Sequence, residues 1–72
     1  MSFQAYLDNV QAKTGKLPAE LKALAASRGL VVGDDLAPGI NATQVTDWLK
    51  SEFDLGHGHA MAIYAWFKGK RS

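Results

Sequence analysis

The residues of this chain best equipped for chemistry stand together, in Asp54-Leu55-Gly56-His57-Gly58-His59. Imidazole changes charge near neutral pH, so paired histidines suggest proton transfer, anion contact or metal binding. Gly56 and Gly58 mark a tight joint where one helix stops and another starts. A helix start leaves N–H groups unpaired and carries the positive end of the helix dipole, which suits an anion. The same pattern equally suits two helices packed closely at a sharp corner, and both readings stay open at this point. Metal chelation is the weakest of the three. Residues two apart on a helix diverge by about 200°, so His57 and His59 cannot hold one ion there. The chain also has no cysteine to supply a thiolate. No metal site and no cofactor is expected.

His59 falls on the apolar side of the helix it opens. A histidine so placed is ordinarily a core residue whose ring nitrogens find hydrogen bonds, here from Asp54, a backbone carbonyl or Glu52. Glu52 itself projects between Val45 and Trp48 inside an apolar arc, where a carboxylate must be paired or reach water. An acid/base pair between Glu52 and His59 is the enzymatic reading. A surface-edge glutamate is the favoured one, because a chain this size rarely encloses a substrate cavity of several hundred cubic ångströms. No phosphate-binding loop, dinucleotide fingerprint or nucleophile elbow is present. No catalytic residue is assigned.

The exposed side of the same helix carries a second constellation. At about 100° per residue, His57, Met61, Tyr64, Lys68 and Arg71 fall on one stripe that should face water. Aromatic and cationic groups interleaved in this way suit phosphate contact with base stacking. A solvated helix face has the same appearance, and Met61 and Tyr64 add apolar bodies that a protein partner could cover. Beside the stripe, Gly58, Ala62, Ala65 and Gly69 form a ridge of small residues open to close approach by another helix. His59, Ile63, Trp66 and Phe67 make the broad apolar face.

Four helices must position these groups. Ser2 caps the first, whose Phe3, Tyr6, Leu7 and Val10 share one stripe, and Gly15 closes it. Pro18 opens the second, with Leu21, Leu24 and Ala25 inward and Gly29 at its end; Leu17 is a poor cap before it. Residues 30–40 hold Val31-Val32, Gly33 and Ala37-Pro38-Gly39. They read as a loop with at most one helical turn, because Val31-Val32 has no evident partner strand. Asn41 with Gln44 forms a capping box for the third helix, which aligns Val45, Trp48, Leu49 and Phe53. Gly56 or Gly58 begins the fourth, running to about Phe67 or Lys68, with Gly56 expected at the change of direction. Trp48, Phe53, Ile63, Trp66 and Phe67 should form one core with Tyr6, Leu7, Leu21 and Leu24.

Composition bounds the rest. Seventy-two residues with 47% hydrophobic content make a single ordered domain, 1–72. Such a chain buries only about 60% of its unfolded surface, so its stability margin is small. A net charge of +1 does not by itself imply nucleic acid. Its distribution is uneven: residues 34–54 hold five acids and one lysine, whereas residues 57–72 hold Lys68, Lys70 and Arg71 and no acid. The opening residues show no basic flank with an apolar run, so no secretory signal is expected. The longest apolar run, residues 60–67, is far short of the roughly 20 that span a bilayer. A cytoplasmic protein without membrane contact is expected.

Several of these blocks have a counterpart elsewhere. Ser2-Phe3-Gln4-Ala5-Tyr6-Leu7-Asp8-Asn9, Lys13-Thr14-Gly15-Lys16, Trp48-Leu49-Lys50 and above all Leu55-Gly56-His57-Gly58-His59-Ala60-Met61-Ala62 resemble the small bacterial family numbered 4287 among domains of unknown function. Leu17 and the inserted segment 31–40 depart from the pattern. The resemblance implies a compact helical domain and assigns no activity. The expectation is therefore an all-α, compact four-helix non-parallel bundle of orthogonal type. It should act as a small non-enzymatic module for an unknown protein partner, with a monomer as the default. Weak nucleic-acid or phosphate binding through the last helix is the alternative, and a small enzyme using His59 and Glu52 comes last.

Overall fold

The computed structural model describes residues 2–71. Among them the element order is α1 (Phe3–Thr14), α2 (Pro18–Ser27), β1 (Val31–Val32), β2 (Asp35–Leu36), α3 (Ala42–Phe53) and α4 (His57–Phe67). Four helices and their boundaries follow the caps read from the sequence. Ser2 Oγ accepts from Ala5 N–H at 3.1 Å, and Gly15 N–H returns to the Gln11 carbonyl at 2.8 Å. Asn41 and Gln44 exchange two hydrogen bonds of 2.9 Å, a complete capping box. Leu17 has no side-chain oxygen to give, and the start of α2 is secured from the other side. Glu20 Oε1 accepts the Leu17 N–H at 2.9 Å, and Pro18 fills the first helical position.

The segment between α2 and α3 corrects the loop expectation. β1 and β2 form a two-stranded antiparallel ladder with Val31 opposite Leu36 and Val32 opposite Asp35. The partner strand is local, across the two-residue loop Gly33-Asp34. Gly33 takes φ +63°, which a hairpin loop this short demands and a residue with a Cβ resists. The Ala37 N–H to Leu30 carbonyl bond, 2.9 Å, extends the pairing. Lys22 Nζ donates to the Asp34 carbonyl at 3.0 Å and ties the tip to α2. Val31 points inward, buried, while Val32 is exposed. The protein is thus mainly helical with a small hairpin, not purely α.

α4 is the central element and touches α1, α2 and α3. Its Ala60, Ile63 and Phe67 meet Val10 from α1, Leu21 from α2, and Val45 and Leu49 from α3, all fully shut from water. The large aromatics sit further out than expected. Trp48, Phe53, Trp66 and Tyr6 are half-buried; Trp48 and Phe53 meet edge to face with ring centroids 5.4 Å apart at the core margin. Leu24 is not in the core at all, being 38% exposed. It stands about 60° from Leu21 around the helix, on the side away from Ala25, whereas Lys22, whose Nζ bonds the hairpin tip, stands on the Ala25 side.

The α3–α4 joint also turns differently. Asp54 supplies the left-handed residue, φ 54°, the sole non-glycine with positive φ among the described residues. Gly56 has an ordinary φ of −71° and serves as the N-cap. Buried Leu55 lies between them and pins the corner to the core.

Candidate functional site

Gly56 caps α4 without a side-chain bond, and His57 in the first turn is exposed. His59, two residues further on, is half-buried. Its ring meets the edge of Tyr6 at 5.1 Å with the planes 77° apart, so its packing partner is an α1 aromatic. Glu52 has a different partner from the one considered for it: its Oε1 lies 3.5 Å from Arg28 Nη2 on the surface. Asp54 pairs with Lys13 at 3.8 Å, also exposed. The two members of the considered acid/base pair therefore each engage another element. Among the described residues no group of three His, Cys, Asp or Glu side chains is gathered that could hold a metal ion.

The stripe divides. His57, Met61 and Lys68 are exposed along α4, and Tyr64 between them is half-buried against the core. Arg71 leaves the stripe. The helix ends with Lys70 N–H bonded to the Ala65 carbonyl and Gly69 N–H to the Trp66 carbonyl, both 3.0 Å, with Gly69 at φ +108°. This left-handed closure reverses the chain. The Arg71 guanidinium then lies 3.9 Å from the Trp66 ring centroid and donates to the Trp66 carbonyl at 3.0 Å and the Lys70 carbonyl at 2.9 Å. Helical periodicity was the wrong ruler past Phe67, because the helix stops there.

The small-residue ridge is where α1 crosses. A Cβ placed on Gly58 would stand 3.4 Å from Tyr6 Cε1 and 3.6 Å from its hydroxyl, so the absent side chain brings the Tyr6 ring down onto α4. An open groove of about 320 Å³ lies beside this contact. Phe3 and Tyr6 form its α1 wall; Gly58, Met61, Ala62 and Ala65 form the α4 side; Lys70 closes one end. Lys70 Nζ lies 5.0 Å from the Phe3 ring centroid, within cation–π range. Neither His59 nor Glu52 lines this groove. Sequence reading singled out Met61 and Gly58 but not Phe3, Tyr6 or Lys70 as their neighbours. The small-residue ridge was the one available signal, since it says a second helix will arrive without saying which.

The profile of a domain of unknown function, DUF4287, matches residues 2–69, and the chain belongs to that family. No curated protein and no solved structure matches it.

Proposed function

We propose that this DUF4287 member is a non-enzymatic protein-interaction module that works in the cytoplasm as a monomer. In this reading α1 to α4 form a compact non-parallel bundle whose contact surface is the exposed face of α4 and the groove beside it. One observation carries the reading. Met61, 37% exposed, stands at the edge of an apolar groove that also presents the Phe3 and Tyr6 rings. Methionine is flexible and polarizable, and adapts to apolar partners better than a branched side chain does. A groove of about 320 Å³ is at the lower end for ligand pockets, and being open to solvent it does not seclude a reaction from water. His59 and Glu52, the pair an enzyme would use, stand outside it with partners of their own.

Nucleic-acid binding has less support. Affinity for phosphates grows with the number of cations presented together. With Arg71 folded over Trp66, the α4 stripe keeps Lys68 as its fixed cation. A photo-crosslinking amino acid at position 61, in cells that make the protein natively, tests the proposal. Discrete protease-sensitive adducts are expected from position 61 and none from position 32, where Val32 is still more open to solvent on another element. Nuclease-sensitive adducts, or equal labelling from both positions, would overturn it.

A further inference from the structure

We infer that the α1–α4 groove takes a segment of a partner protein that presents one large apolar side chain next to a carboxylate. The inference rests on the interaction reading and adds the chemistry of the partner. Most of the side chains that line the groove are apolar, Phe3, Met61, Ala62 and Ala65 beside the Tyr6 ring, and this asks for an apolar anchor. The charge around it has one sign. Lys70 is the single charged residue of the lining, and it forms no ion pair among the described residues. Its contact with Phe3 holds the ammonium at the groove end, ready for a carboxylate. The nearest acid on α1 faces elsewhere: Asp8 accepts from Gln4 Nε2 at 2.9 Å and lines the separate groove between α1 and α2. No acid follows Asp54 in the chain, while Lys68, Lys70 and Arg71 do. Two such basic ends repel, so a second copy of this chain is a poor occupant. An oligonucleotide offers Lys70 a phosphate and the Phe3 and Tyr6 rings a base to stack on, but no aliphatic anchor for Met61 and Ala65.

The test uses the whole chain and three short synthetic peptides, followed by NMR amide shifts. One peptide carries a leucine flanked by aspartates, one the same leucine flanked by lysines, and one has serine in place of leucine between aspartates. Only the first should give saturable shifts at Gly58, Met61, Ala65 and Lys70. Lys70→Glu, an exposed change that should leave the rest of the spectrum in place, should weaken that peptide about tenfold and favour the lysine peptide. Met61→Ala should also weaken it. Equal binding of the serine peptide, or of the lysine peptide, would overturn the inference while keeping the interaction reading. Groove shifts that depend on protein concentration alone would assign the face to a second copy and overturn it too. If no peptide moves the groove and an oligonucleotide moves His57 and Lys68, the interaction reading falls with it.

Discussion

Gly58 and Phe67 are the residues on which single-side-chain arguments turn. Gly58 keeps an ordinary helical backbone, and a methyl there would meet Tyr6 at normal contact distance. Gly58→Ala should therefore fold normally and melt no lower than the parent, since alanine is the better helix former by up to about 1 kcal/mol. Gly58→Val adds branched bulk under the Tyr6 ring and should lose about 1–3 kcal/mol. Thermal melts of the pair read the closeness of α1 directly; an alanine variant as unstable as the valine variant would contradict the distances. Phe67 is fully shut from water, whereas Trp66 is half-buried with Lys22 and Arg71 over its ring. Phe67→Ala should cost about 3–5 kcal/mol, close to the whole stability of so small a domain. Trp66→Ala should cost less. Urea midpoints give the order, and a Trp66 variant weaker than the Phe67 variant would show that the indole, not the phenyl ring, centres the core.

Elements carry their own tests. The inward face of α2 is centred between Leu21 and Ala25, both fully buried, and excludes Leu24. Leu24→Gln should stay within about 0.5 kcal/mol of the parent, as a surface change does. Leu21→Gln puts an amide where no partner waits and should unfold much of the population at room temperature. Circular dichroism separates the two outcomes. The hairpin depends on Gly33, where nothing crowds an added Cβ and only the backbone objects. Gly33→Val should cost about 1–2 kcal/mol through its left-handed φ. Faster exchange of the Ala37 amide, with the α1 and α3 amides unchanged, would locate that loss in the hairpin.

The whole molecule is organised around one helix. Because α4 contacts the other three, no pair of helices retains a core when it is removed. Unfolding should be a single cooperative step, so helical circular dichroism and the fluorescence of Trp48 and Trp66, on α3 and α4, should melt together. Separated transitions would mean that α2 and the hairpin stand as a unit apart from the α3–α4 corner. No helix of the described residues is long and apolar enough to cross a membrane.

The sequence by itself determined what depends on neighbours within four residues. The caps at Ser2 and Asn41, the stop at Gly15, the proline start of α2 and the extent of α4 all rest on such local bonds, and each was legible as spacing. So was the hairpin in principle, since Gly33-Asp34 is a two-residue turn signal; looking for a distant partner strand concealed it. The tertiary structure alone decided how far the core extends around each helix and where each long side chain came to rest. Leu24 is apolar and correctly spaced, yet it is exposed at the edge of the face that Leu21 and Ala25 bury. Glu52 and His59 flank the α3–α4 joint, yet each engages another element, Arg28 for Glu52 and Tyr6 for His59. The groove lies where Phe3 and Tyr6 of α1 come against Gly58, Met61, Ala62 and Ala65 of α4. Local hydrogen bonds are written in the order of residues, but a helix crossing depends on every side chain at the contact, and those come from opposite ends of the chain.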